Sequence, residues 1–288
     1  MHTDEITTFK YTKWLPIFKI EKPFIIISNL KPKRLQYRQT NLEFEEGKPQ
    51  IVQDIRGRER QFALDSHGFQ VSHHNWTMDQ WYSTDAVQNK YLPVVEDLIR
   101  QDIPNVTQVR IFDWRIRRNQ PYQETGVKKL DLNDNAQYLQ PITSVHIDQS
   151  PKGAELRVKR HMGNEADILM AGRVRLINVW RPIHHSVGDC PLAFCDGSSV
   201  DADDLIAIDH VTRDHVGETF NLVFREKYRW YYLSDQRPDE VVLFKMFDSK
   251  PNIKARNCPH ASFQHREIPA QTLPRESIEV RALVFSED

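Results

Sequence analysis

His146-Ile147-Asp148 lies in the strand-like run Ser144-Val-His-Ile-Asp148. Residues two apart in a strand point to one face, so the His146 imidazole and the Asp148 carboxylate project together, while Val145 and Ile147 face the opposite layer. One imidazole nitrogen and one carboxylate oxygen on a rigid strand are two of the three donors of a 2-His-1-carboxylate site, which holds Fe(II) and leaves coordination positions open. The third donor has to come from a later strand. Two candidates exist, His210 in Ile208-Asp209-His210 and His260 in Cys258-Pro-His-Ala-Ser-Phe263. The other histidines carry less information. The pairs His73-His74 and His184-His185 lie in polar, turn-like sequence and read as surface or hydrogen-bonding side chains.

An arginine separates the two candidates. In 2-oxoglutarate-dependent oxygenases the distal histidine is followed some 10–15 residues later by an arginine on the last core strand. That arginine grips the far carboxylate of the cosubstrate in a bidentate fork. Arg275 follows His260 by 15 residues and opens Arg275-Glu-Ser277, whose Ser277 hydroxyl shares the strand face and offers that carboxylate a second hydrogen bond. Arg225 follows His210 at the same distance but has Lys227 where the hydroxyl would be. The expected ligand set is therefore His146, Asp148 and His260. Arg281 shares the period-two face of Arg275, Ser277 and Glu279, and three roles are open to it: cosubstrate anchor, anchor for a substrate carboxylate, or ion-pair partner of Glu279.

The elements that must position these groups read as mainly β. Val109–Ile116, Ser144–Asp148, Val174–Trp180, Phe220–Phe224, Trp230–Leu233, Glu240–Phe247 and Ser277–Phe285 alternate or are β-branched, which suggests a β-sandwich or jelly roll with flanking helices. One helix is expected over about Asp85–Gln101, kinked or starting near Pro93. The first 80 or so residues read as an N-terminal extension packed on a core that runs from about residue 105 to 288. No Gly/Ser-rich linker divides the chain, so 1–288 reads as one domain.

The 39 Lys and Arg balance 40 Asp and Glu, which argues against broad binding to nucleic acid or an anionic membrane. No apolar run approaches the ~18 residues of a membrane span, and the N-terminus lacks a signal-peptide pattern. Three cysteines, Cys190, Cys195 and Cys258, read as reduced, buried thiols of a cytoplasmic protein. A jelly roll exposes a sheet face through which a homodimer can form. Trp180, Trp230, Tyr231 and Tyr232 are core aromatics or pocket walls.

Several segments resemble the CmcJ/AsaB-like fungal hydroxylase/desaturase family. They are Asp54-Ile-Arg-Gly57, Leu64-Asp-Ser-His-Gly-Phe69, Asn178-Val-Trp-Arg-Pro-Ile183, Pro191-Leu-Ala-Phe-Cys-Asp196, Asp239-Glu-Val-Val-Leu-Phe-Lys245, Phe247-Asp-Ser249, Pro259-His-Ala-Ser-Phe263 and Arg275-Glu-Ser-Ile-Glu-Val-Arg281. The resemblance covers roughly residues 50–288. It implies a double-stranded β-helix (jelly roll, cupin-like) core and a non-heme oxygenase that uses Fe(II), 2-oxoglutarate and O2 in secondary metabolism. It also implies iron ligation by His146, Asp148 and His260, a cosubstrate anchor at Arg275, and an approach of Asn178 and Arg181 to the pocket. Asn178 and Arg181 are an odd number of residues apart, so in a regular strand only one of them points inward. If Arg281 or Arg181 is free of cosubstrate duty, a carboxylate-bearing substrate such as an amino acid becomes attractive; terpenoids and polyketides are the other classes. The competing readings are a zinc-dependent hydrolase using the same His/Asp/His set, which leaves Arg275 and Ser277 unexplained, and a non-catalytic jelly-roll binding module.

Overall fold

The computed structural model describes residues 3–26, 38–120, 134–212 and 215–287. Its strands are β1 (Glu5–Thr7), β2 (Lys10–Thr12), β3 (Phe24–Ile26), β4 (Phe44–Glu46), β5 (Gln50–Asp54), β6 (Phe69–His73), β7 (Val106–Arg118), β8 (His146–Ile147), β9 (Arg173–Pro182), β10 (Leu192–Cys195), β11 (Leu205–Val211), β12 (Val216–Leu222), β13 (Trp230–Tyr232), β14 (Glu240–Asp248), β15 (His260–Ser262) and β16 (Glu276–Ser286). The α-helices are α1 (Leu64–His67), α2 (Thr84–Ala86), α3 (Leu92–Asp102), α4 (Pro151–Met162) and α5 (Ala166–Met170).

Two large sheets face each other. One has the order β1-β5-β13-β10-β15-β8-β12-β11-β3 and the other β6-β14-β9-β16-β7. The jelly-roll reading holds. The N-terminal extension does more than lie on the core. Its β5 pairs with β13, β6 with β14 and β3 with β11, so it lengthens both sheets. Residues 1–2 and 27–37 of that extension fall outside the described residues.

Strand alternation divides the apolar side chains between two layers. Val174, Leu176 and Trp180 of β9, Val242, Phe244 and Met246 of β14, and Leu283 and Phe285 of β16 fill the space between the sheets. Ile177 and Val179, Val241 and Leu243, and Ile278, Val280, Ala282 and Val284 face outward. There they meet Val95, Leu98 and Ile99 of α3. The expected helix is present but segmented. After α2 the chain makes a π-turn over Val87–Tyr91, and Pro93 sits in the first turn of α3, where its missing N–H costs nothing.

The inner face of β16 changes character along its length. Leu283 and Phe285 at one end are apolar, whereas Ser277, Glu279 and Arg281 at the other are polar and buried or nearly so. Polar inward positions need partners, and they set this end of the sandwich apart from the apolar one.

A separate ionic cluster braces β14. The fully buried Lys245 ammonium donates to Asp248 (2.6 Å), Asp65 (2.8 Å) and the Ala255 carbonyl (3.2 Å), and Arg173 also pairs with Asp248 (2.7 Å). Lys245→Met keeps the length but removes the charge. Because Arg173 still faces Asp248, the expected loss is at the lower end for a broken buried pair, about 3 kcal/mol. That corresponds to a fall of ~6 °C in melting temperature at ~2 °C per kcal/mol for a chain of this size.

Candidate active site

His146 and His260 are register partners on the adjacent strands β8 and β15. Directly opposed residues bring their side chains together, and the two rings lie 4.3 Å apart centre to centre. Each Nδ1 donates to the carbonyl two residues earlier, Ser144 for His146 (2.8 Å) and Cys258 for His260 (3.2 Å). That arrangement holds each ring and leaves Nε2 free to ligate a metal. Asp148 follows β8 directly, and its Oδ1 lies 3.5 Å from His146 Nε2. One ligand atom from each of His146, Asp148 and His260 fits within a 4.8 Å cluster. His210 is not part of this cluster. It lines the neighbouring cavity.

The opposite sheet supplies the support. Asn178 of β9 and Asp113 of β7 flank Arg281 of β16 in register. Asn178 Nδ2 donates to Asp148 Oδ2 (2.7 Å), and Arg281 Nε donates to the same oxygen (2.9 Å). One carboxylate oxygen is thereby occupied, and the other faces the histidines. Arg281 also pairs through Nη1 with Asp113 (2.7 Å) and through Nη2 with Glu279 (2.6 Å). Its fork is spent on three carboxylates, so Arg281 supports Asp148 and has no edge left for a cosubstrate or substrate carboxylate. Arg181 lies on the outward face of β9, where its Nη2 donates to the Trp76 carbonyl (2.7 Å). The expectation that Arg181 approaches the pocket is corrected by strand parity, since Asn178 takes the inward position.

Charge follows the same geometry. Burial alone would raise the Asp148 carboxyl, but Arg281 and the two histidines hold it well below the usual range. Burial, reinforced by neighbouring His146, pushes the His260 imidazole down to about 3. Both groups therefore stand in their ligating forms, a carboxylate and a neutral imidazole.

Arg275 sits beyond the histidines along the same channel. Its Nη1 donates to the Cys190 carbonyl (2.8 Å) and to Ser262 Oγ (2.9 Å), and its guanidinium lies 5.6 Å from the centre of the Trp180 ring. Asp189 clamps the local backbone by accepting from the Arg275 N–H (3.0 Å) and the Cys190 N–H (2.7 Å). A narrow cleft, walled by Trp180 and Leu192, joins Arg275 to His146 and His260. On the other side of His146 a larger cavity of about 440 Å³ opens, and it also reaches Asp148. Arg117 borders both spaces. The sequence reading missed Asp189 and Arg117. Among the aromatics, Trp180 walls the cleft, while Trp230, Tyr231 and Tyr232 belong to the core.

The residues fit an iron and a keto diacid. The donor set is two imidazoles and one carboxylate, which suits Fe(II) with open positions. Arg275 Nε and Ser277 Oγ are buried without a hydrogen-bond partner among the described residues, and such orphaned groups need an acceptor. Ser262, which steadies Arg275, is two residues from His260 on one strand face. That spacing of ~7 Å is commensurate with a five-carbon dicarboxylate.

Comparisons with known proteins agree with this geometry. A family model described as an oxidoreductase/YMDC permease-like domain matches residues 9–285. Hydroxylase/desaturase efuI of Hormonema carpetanum is 35% identical over 259 residues, covering 83% of this chain and 84% of that one. The Fe(II)/2-oxoglutarate-dependent dioxygenase nvfI of Aspergillus novofumigatus is 33% identical over 240 residues, 81% of each chain. The solved iron and alpha-ketoglutarate-dependent endoperoxidase NvfI superposes with a TM-score of 0.83 at 27% identity over 99% of both chains. With fold, cluster and sequence in agreement, the chain belongs to the hydroxylase/desaturase family of non-heme oxygenases, enzymes that use Fe(II), 2-oxoglutarate and O2.

Proposed function

We propose that His146, Asp148 and His260 hold the Fe(II), that Arg275 with Ser277 binds the far carboxylate of 2-oxoglutarate in the cleft, and that an amino acid, terpenoid or polyketide substrate occupies the larger cavity. Bound there, the iron with 2-oxoglutarate and O2 supplies an oxidant for an unactivated C–H bond, giving hydroxylation, desaturation or ring formation as 2-oxoglutarate becomes succinate and CO2. The observation that carries this reading is the three-donor cluster at the seam between the two spaces, with the partnerless donors of Arg275 and Ser277 at the far end of the cleft.

The protein's own groups orient and exclude. Asn178 and Arg281 hold Asp148 Oδ2, so that Oδ1 is the oxygen presented to the metal. The Ser144 and Cys258 carbonyls fix the imidazole rings. Ser262 and the Cys190 carbonyl steady one edge of Arg275 and leave its Nε side for a carboxylate. Trp180 and Leu192 wall the cleft and keep water from the reacting atoms. The three cysteines are all buried and free, which supports a reducing, cytoplasmic setting. Among the described residues no helix is long and apolar enough to cross a membrane.

Metal removal tests the reading. Protein stripped with a chelator is expected to release no succinate from 2-oxoglutarate. Fe(II) should restore release and Zn(II) should not. Equal turnover with zinc, or turnover independent of 2-oxoglutarate, would return the site to hydrolase chemistry.

A further inference from the structure

The larger cavity holds two arginines that the iron and cosubstrate reading leaves unused. Three arginines line it, Arg117, Arg157 and Arg281. Arg281 is committed to Asp148, Asp113 and Glu279. Arg157 makes no hydrogen bond or ion pair with any described residue, and its guanidinium rests 5.4 Å from the centre of the Phe112 ring. Arg117 donates one Nη1 hydrogen bond, to the Gln140 carbonyl (2.9 Å), and is in register with Ser277. Both are half-buried. A half-buried guanidinium with no anion bonded to it among the described residues bears a desolvation cost that a ring face or a single carbonyl offsets only in part.

Among the described residues, the acids nearby are already taken. Those on the described cavity wall are Asp148 and Glu218. Asp148 serves Arg281 and Asn178, and Glu218 is bound by Lys22 and Ser150. The acids that act on the two arginines through space are Glu279 and Asp148 on Arg117 and Asp113 and Asp148 on Arg157, and all three are ion-paired with Arg281. Burial pushes Arg117 down to about 10 and Arg157 below its ordinary value, with Arg281 adding to both shifts. Thr219 Oγ1, on the same wall, is buried and has no hydrogen-bond partner among the described residues.

The local sequence puts Arg157 over the cavity. Ser150 caps α4 by accepting from the Gly153 N–H (3.0 Å), two residues after Asp148. A Cβ on Gly153 would come 2.1 Å from the Glu218 carbonyl oxygen, so only glycine lets the helix lie this close to β12. Arg157 is one turn further on the same face.

We propose that the substrate carries a carboxylate and that Arg157, assisted by Arg117, binds it and so orients the substrate toward the metal side of the cavity. This rests on the iron reading only in naming which cavity takes substrate. Of the anchors suggested by sequence, Arg281 is excluded by its own partners and Arg181 by its place on the outward face of β9.

The test is calorimetry under nitrogen on protein loaded with Fe(II) and 2-oxoglutarate. The probes are hydrocinnamic acid, N-acetyl-L-leucine, 6-methylsalicylic acid and abietic acid, each against its methyl ester. At least one acid is expected to bind tenfold or more tighter than its ester. That preference should fall below threefold in Arg157→Gln and largely survive in Arg157→Lys, with melting temperatures confirming that each variant folds. If no acid outbinds its ester, or the preference persists in Arg157→Gln, the proposal is overturned; Arg117→Gln is expected to weaken the preference to a smaller degree. A protein that takes up no Fe(II) fails the metal reading instead, and the acid-ester comparison on that metal-free protein still decides the carboxylate subsite.

Discussion

Asp148→Ala is expected to abolish stoichiometric Fe(II) binding and to lower 2-oxoglutarate turnover at least ~10³-fold, since losing an anionic metal ligand removes several kcal/mol of stabilisation and ~4 kcal/mol is about three decades in rate. The fold should survive. Arg281 keeps Asp113 and Glu279 as partners, so no buried cation is left bare. This separates the metal role from a structural one. If Asp148 only paired with Arg281, the variant would lose melting temperature while retaining iron and turnover. Asn178→Ala provides the graded comparison. It deletes one hydrogen bond to Oδ2 and leaves the ligand set intact, so Fe(II) affinity should fall by about tenfold, the lower end for an outer-shell partner. Equilibrium dialysis with iron quantitation checks both variants.

The second large effect is at Arg275. Arg275→Ala should raise the dissociation constant for 2-oxoglutarate by about 10²–10⁴-fold, because two charge-assisted hydrogen bonds at ~1.5–3 kcal/mol each are lost and each 1.4 kcal/mol is a factor of ten. Fe(II) binding should be unchanged, since no ligand atom is touched. Arg275→Lys should recover only part of the affinity. An ammonium restores the charge but cannot hold the Cys190 carbonyl and Ser262 while presenting Nε to the carboxylate. Titration of 2-oxoglutarate into iron-loaded variants measures this directly. An unchanged dissociation constant in Arg275→Ala would move the anchor elsewhere, with Arg117, which borders the same cleft, next to be examined.

Much of this site is legible in the sequence because it is built on strands. His146 and Asp148 are two apart, and the inward set Arg275, Ser277, Glu279 and Arg281 follows from period two alone. The same parity separates Asn178 from Arg181, although it cannot say which one faces in. That depends on the register of β9 between β14 and β16. The role of Arg281 is legible only in part: its pairing with Glu279 is among the roles the shared strand face allows, but its hold on Asp148 is not. Its partners Asp113 and Asp148 lie 168 and 133 residues away in sequence, one on β7 and one across the sandwich. Helix α4 left little signal because only Gly153, Ala154 and Val158 are buried. A helix touching the core at so few points shows almost no apolar stripe, and Arg157 was overlooked with it. Asp189 precedes β10, outside any strand, and acts through backbone N–H groups. No side-chain pattern marks such a clamp.

The central claim is that one site binds iron and 2-oxoglutarate together. Anaerobic titration of the purified protein with Fe(II), then 2-oxoglutarate, followed by visible absorption, tests it most directly. A weak charge-transfer band is predicted that needs both additions, saturates at one equivalent of each, and is absent in Asp148→Ala. No band in the wild-type protein, with Fe(II) bound and 2-oxoglutarate in excess, would contradict the account.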